Sequence, residues 1–351
     1  MIPVFDPGLS EDSANYEEDG VWPELRRAEA NRFSYKMKQA LDSSRAFGAV
    51  RIVPDSTASG DLYVLGKIEK SNGVKLALKL RVVDISGKKW LEKTFRYTVP
   101  DGFYKNRRNA GKDPYDPLFQ EAVAAIIAKL QTRSHADLRD LQDITRLRFA
   151  ASFNQSEFLE YLKINGDRFS IVSKPADDDP ALQRIAAIRV REQLFMDNFQ
   201  QNYMSFAEQM DESYLKWQEA SFTEQKLSAK ARKKSFMQAV GGALLLGLSV
   251  AAAVQSEDSS NPNVVLATAA IGGVAGAWML SNSFKSREEA KLHKEAIDEL
   301  GESLDLELGP QVISFAEETV ELTGNVQQQF MQWREFLQRI YAQEAVPNTQ
   351  L

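Results

Sequence analysis

The sequence predicts an α+β protein. A small N-terminal α/β domain with a mixed sheet is followed by a long antiparallel α-helical stalk with a hydrophobic, transmembrane-type hairpin. Three observations predict it. Residues 62–99 alternate apolar and polar side chains around two Gly-containing turns, the pattern of an antiparallel sheet with one buried face. From Ala181 to Val240 there is neither Gly nor Pro, room for one helix about 90 Å long at ~1.5 Å per residue. Two uncharged stretches, Ser235–Ser256 and Ser259–Phe284, meet at an acidic turn beginning Glu257-Asp258.

The elements follow in order. Ile2–Phe5 is a short strand, and the acidic Ser10–Gly20 is a loop. Pro23 opens a helix through Ser44, with Leu25, Ala28, Phe33, Met37 and Leu41 as its apolar stripe. Ala49–Val53 and Leu62–Ile68 are strands, and Ser71-Asn72-Gly73 is a hairpin turn. In Val74–Ile85, Val74, Leu76, Leu78, Leu80 and Val82 share a face. Ser86-Gly87 turns the chain into Leu91–Val99, where Leu91, Phe95, Tyr97 and Val99 share a face. A loop over 101–117 leads to a helix over Asp116–Thr132.

The segments "IPVFDPG", "RRAEANRFSYKMKQAL", "FGAVRIVPD", "GDLYVLGKIEKSNG" and "LKLRVVDISGKKW" stand in this order in residues 1–133. This region resembles the N-terminal domain of TolB and the related curli-secretion and Pel-polysaccharide outer-membrane lipoproteins. In those families a first strand, a helix, a "-DYVLxGxI-" strand and a "-L-D-x-x-G-" hairpin recur. The lipidated cysteine of the lipoprotein members is missing, since the chain has no Cys. The resemblance implies ring assembly and a role in secretion or as a scaffold.

Residues 134–180 form a mixed connector: a charged helix over Ala136–Arg148, a helical piece at Ser156–Leu162, a strand at Phe169–Ser173 and the linker Lys174–Pro180. Asp179 serves as N-cap of the next helix, with Pro180 at its first position. Residues 181–351 form the stalk. Met196, Phe199, Tyr203, Phe206, Met210, Tyr214 and Trp217 are spaced 3, 4, 3, 4, 4, 3, close to a heptad seam. Val312, Phe315, Thr319, Leu322, Val326, Phe330, Trp333, Leu337 and Ile340 give a second seam. Gly309-Pro310 breaks or kinks the returning arm. A compact helical bundle is the alternative to an extended stalk.

The hairpin spans 236–284. A membrane helix needs ~20 mostly apolar residues, and both halves reach that length. Small residues recur every four positions, at Ala239, Ala243, Gly247 and Ala251, and again at Ala269, Gly273, Ala277 and Ser281. Gly272 and Gly276 form a GxxxG pair. Such rows let helices approach closely inside a bilayer, and the arrangement resembles the glycine-zipper hairpins of small bacterial envelope lipoproteins. A buried core hairpin is the alternative. Lys226, Lys230, Arg232, Lys233 and Lys234 precede the hairpin, and Lys285, Arg287, Lys291 and Lys294 follow it. Both arms thus stand on one side of a membrane, cytoplasmic by the positive-inside rule, against the envelope resemblance. That rule governs insertion into the inner membrane and need not bind a hairpin entering the outer membrane from the periplasm.

Chemistry is sparse. The absence of Cys excludes a disulfide, an iron–sulfur cluster and Cys-ligated zinc. His135 and His293 are the only histidines, both in charged helical stretches, and are expected to be solvent-exposed. Asp177–Asp179 lacks the remaining ligands of a calcium loop. "NRRNAGK" (Asn106–Lys112) is basic, and a solvated loop is preferred there to a phosphate contact. A net charge of −6 speaks against nucleic acid.

The expectation is therefore a non-enzymatic bacterial envelope protein of the periplasm and outer membrane, without cofactor or metal. It would form homo-oligomers, meet membrane lipid and other envelope proteins, and act as a secretion pore or scaffold. Alternatives are an inner-membrane-anchored scaffold, a soluble helical pore-forming protein and a soluble binding module with a buried hairpin. No secretory signal is visible at the N-terminus, so either the protein is not exported or the sequence begins after a removed signal.

Overall fold

The computed structural model describes residues 1–10, 21–176, 178–250, 287–315 and 318–345, with 228–250, 287–290, 315, 344 and 345 described by backbone alone. Strand β1 (Ile2–Pro3) pairs in parallel with β2 (Ile52–Val53), and helix α1 (Pro23–Ser44) lies between them in sequence. Strands β3 (Leu62–Ser71), β4 (Lys75–Asp84) and β5 (Lys89–Thr98) form an antiparallel sheet in that order. The two sheets meet along the first residues of the chain. Asp6 N–H donates to the Gly66 carbonyl at 2.8 Å and Ile68 N–H to the Asp6 carbonyl at 2.9 Å.

The inward face of the three-stranded sheet buries Val64, Ile68, Leu76, Leu78, Leu80, Val82 and Phe95. A register shift after Val82 lets Trp90 stand beside Leu91 as an extra residue on β5, so Trp90 is buried and Leu91 is only half-buried. The turn closes on Asp84, whose carboxylate accepts from the Ser86 and Lys88 backbone N–H groups at 3.0 and 2.9 Å and from Trp90 Nε1 at 2.7 Å. The "D-x-x-G" hairpin thus does structural work, because a buried carboxylate needs such donors.

Helices α1 and α2 (Asp116–Leu130) pack together through Phe33 and Phe119, whose ring centroids are 5.6 Å apart. Helix α3 (His135–Ala151) starts with a capping box from Ser134 and Asp137. A short helix α4 (Gln155–Phe158) and a hairpin of β6 (Leu162–Asn165) and β7 (Arg168–Ile171) follow. Helix α5 runs from Pro180 to Val250. Asp179 caps it, its side chain accepting from Leu182 N–H at 2.9 Å. Its 71 residues correspond to about 107 Å of rise.

Helix α5 is not half of a free-standing stalk. Phe199, Tyr203, Phe206, Met210, Tyr214 and Trp217 are all buried, in one cluster that also holds Ile2, Phe33 and Phe119. Its inward stripe therefore faces α1, the returning helices and the sheet unit together. Helix α6 (Arg287–Leu300) packs beside its middle, with Ser213 Oγ 3.0 Å from His293 Nδ1. Helix α7 (Val326–Ala345) packs antiparallel to its beginning. Trp333 lies against Phe195 at 5.0 Å between ring centroids, and Arg334 is 3.6 Å from Glu192.

The second seam is broken. Val312, Phe315, Thr319 and Leu322 stand on an antiparallel hairpin, β8 (Gln311–Phe315) and β9 (Glu318–Leu322), not on a helix. Exposure alternates along it, with Val312 and Ser314 out and Ile313 facing in. That is the period of two natural to β-branched side chains. Only from Val326 onward is the spacing helical, and there Phe330, Trp333, Leu337 and Ile340 are buried.

The transmembrane-type hairpin is also corrected. Among the described residues no helix is long and apolar enough to cross a membrane. The described part of the uncharged run, Ser235–Val250, is the tail of α5, and the rest of the 236–284 hairpin lies outside the described residues. The described architecture is mixed α/β, with seven α-helices and several small sheets.

Candidate functional site

The densest set of interacting polar groups lies where α1 crosses α5. Helix α1 is sandwiched between the sheet and α5, so residues on both its sides are buried, including Arg26, Glu29, Asn31 and Arg32. A charge in such a place needs an opposite charge and hydrogen bonds. The partners come from three distant segments. Glu29 Oε1 accepts from Tyr214 Oη at 2.8 Å and from the Ser71 hydroxyl. Arg26 Nε stands 3.7 Å from Glu29 Oε2. One Arg32 amino group lies 2.9 Å from Asp113 and 2.6 Å from Asp211, with the guanidinium 4.6 Å above the Tyr214 ring. Asp113 also accepts from Gln218 Nε2 at 3.3 Å and from Tyr115 N–H at 2.8 Å. Lys36 closes the outer end, 3.0 Å from Asp116.

Burial dominates the electrostatics. It pushes the Glu29 carboxyl above its ordinary range, against the pull of Arg26, Ser71, Tyr214 and Arg32. The Tyr115 and Tyr214 phenols are driven far up by burial and then by the nearby Glu29 charge, so both remain neutral donors. Burial and then Asp113 raise Asp116. Glu29, Tyr115 and Tyr214 are 0% exposed. The inner members of the cluster thus present no surface to a substrate, the half-exposed Asp211 and Asp116 reach solvent at its edge, and its chemistry is that of a lock between layers. A second, smaller lock holds α7. Burial raises Glu192, which faces Arg334 and the Ser59 backbone.

Of the residues singled out from sequence, Phe199, Tyr203, Phe206, Met210 and Trp217 come together on the buried face of α5. Leu322 is buried on β9, and Phe330, Trp333 and Leu337 on α7. Phe315 ends β8 and is described by backbone alone. Ala239, Ala243 and Gly247 are on the last turns of α5, described by backbone alone. Ala251, Ala269, Gly272, Gly273, Gly276, Ala277 and Ser281 lie outside the described residues. His135 is exposed, whereas His293, expected in solvent, is buried against Ser213. Among the described residues no group of His, Asp and Glu is arranged to hold a metal ion.

Sequence reasoning missed Glu29, Arg32, Asp113, Tyr115 and Gln218. One signal was present: Arg26, Glu29 and Arg32 recur every three residues beside the apolar stripe of α1, which places charge on a core-facing side. Comparison with protein-family models, with curated proteins and with solved structures gives no match to this chain.

Two outcomes follow from the cluster. Arg32→Met leaves buried Asp113 with only the more distant Lys36, at 3.8 Å, and lowers the unfolding free energy by about 2–4 kcal/mol, measured by urea denaturation followed by circular dichroism. Glu29 has a raised native pKa, so the native state holds its proton more readily than the unfolded chain. Its stabilising share is full below the ordinary value of 4.5 and is lost as pH rises through the raised value. Glu29→Gln keeps an acceptor for Tyr214 and Ser71. It makes the fall of stability as pH rises above 4.5 shallower, and an unchanged slope refutes this assignment.

Proposed function

We propose that this chain is a structural, non-catalytic component of the bacterial cell envelope, in the periplasm or at the outer membrane. It assembles with copies of itself into a scaffold that serves secretion and that other envelope proteins join. The observation that carries this reading is the length of α5. Its residues from Pro180 to Lys226 are fastened to the body, Lys226 by its ion pair with Asp101, and the same helix runs on to Val250. A helix this long, anchored in the body over its first part, suits a framework element.

Two other features support the reading. The strand–helix–four-strand–helix order of residues 1–130 accords with the resemblance to envelope lipoprotein families whose members form rings. The inner part of the richest polar cluster is buried, which suits a framework better than a catalyst. Membrane insertion by the 236–284 hairpin forms no part of this proposal. With a net charge of −6, nucleic acid is not among the proposed partners.

Sedimentation velocity of the full chain over a wide concentration range, with negative-stain electron microscopy, tests it. A discrete higher-order species with closed or stacked subunits is expected. A monomer at every concentration overturns the reading.

A further inference from the structure

The loop between β5 and α2 carries Lys105, Arg107, Arg108 and Lys112 within eight residues, all exposed. None of the four has an acidic partner among the described residues, whereas Lys226 beside them pairs with Asp101. On a chain of net charge −6 this is a local concentration of the opposite sign. The loop is also braced. Asn106 Oδ1 accepts from Arg108 N–H at 3.1 Å, Asn109 Nδ2 donates to the Phe103 carbonyl at 3.1 Å, and Lys112 N–H donates to the Asn109 carbonyl at 3.0 Å. Cations held in place before binding lose less freedom when they bind.

The loop forms one wall of a cleft of about 420 Å³, within the size range of small-molecule sites. Lys105, Arg107 and Lys112 line that wall, and Glu212, Lys216 and Glu219 of α5 line the other. Tyr104 also lines the cleft. Its ring is held by Phe103 and Phe222, both at 5.1 Å between centroids. Its hydroxyl is buried beneath the cleft, so the ring face is what the cleft meets.

We propose that this cleft binds a phosphorylated polyol. The phosphate meets Lys105, Arg107 and Lys112, the Tyr104 ring forms part of the floor, and Glu212 and Glu219 accept from the ligand's hydroxyl groups. The loop cations supply charge-assisted bonds to phosphate. The two acids opposite disfavour a bare polyanion and select a molecule with an anionic end and a hydroxyl-bearing end. A free sugar phosphate and a phosphatidylglycerol headgroup share this chemistry.

Titration calorimetry of the full chain with glucose 6-phosphate tests the site, with glucose as control. Saturable binding that weakens as salt rises is expected, with glucose at least about tenfold weaker. The double variant Arg107→Gln, Lys112→Gln changes only exposed side chains. It is expected to keep the thermal midpoint and to lose at least about tenfold in affinity. Displacement of glucose 6-phosphate by phosphatidylglycerol vesicles, and not by phosphatidylcholine vesicles, identifies a lipid headgroup. Binding without displacement identifies a free ligand. Failure of both glucose 6-phosphate and phosphatidylglycerol vesicles to bind overturns the proposal. Equal affinity for glucose, or unchanged affinity in the double variant, does so as well.

Discussion

Charges buried on α1 constrain the rest of the molecule. Arg32 and Glu29 are enclosed by neighbouring layers, and an ion so placed is tolerable only with its counter-charge and donors close by. Those partners stand on β3, on the loop before α2 and on α5. Each must be in position at once. Apolar contacts around the cluster are non-directional and permit α5 to slide or rotate along the sheet unit. The ionic contacts fix one register: Glu29 opposite Tyr214 and Arg32 opposite Asp211, so that α1 and α5 run antiparallel.

With α5 fixed, the returning chain has one course. Helix α6 fits beside it through His293 and the fully buried Ile297. The chain then crosses the start of α1, where the Gly301 carbonyl accepts from Arg27 Nε at 2.5 Å and Trp22 Nε1 donates to Asp298 at 2.8 Å. Gly301 is required at that crossing, because a Cβ there would stand 1.9 Å from the Glu24 carbonyl oxygen. After the β8–β9 hairpin, α7 returns to the beginning of α5, where Trp333 and Arg334 meet Phe195 and Glu192. Sheet unit and helices therefore share one continuous buried cluster.

Local features were legible in the sequence where one residue type determines one geometry. Pro23 and the Asp179-Pro180 pair begin helices where expected, and Gly73 and Gly87 turn hairpins at positive φ. The aromatic seam on α5 announced a buried stripe, but periodicity does not say what covers it. Two chance coincidences misled. Spacings of three and four across 312–322 fit a helix, although alternation of β-branched residues favours the observed hairpin. The uncharged run after Ser235 resembled a membrane span, although its described part is the end of a helix whose buried stripe serves the protein's own core. The locking cluster was illegible for another reason. Ser71 and Tyr214, the hydroxyl partners of Glu29, lie 42 and 185 residues from it in sequence, and only the alignment of layers brings them together.

The central claim is that the α1–α5 lock makes sheet unit and helices one cooperative structure. Native-state hydrogen exchange in low denaturant measures this directly. Amides of β4, of the middle of α1 and of α5 between Phe199 and Trp217 are expected to exchange with one common opening free energy. An α5 segment that opens well below β4 and α1, independently of them, would contradict the account.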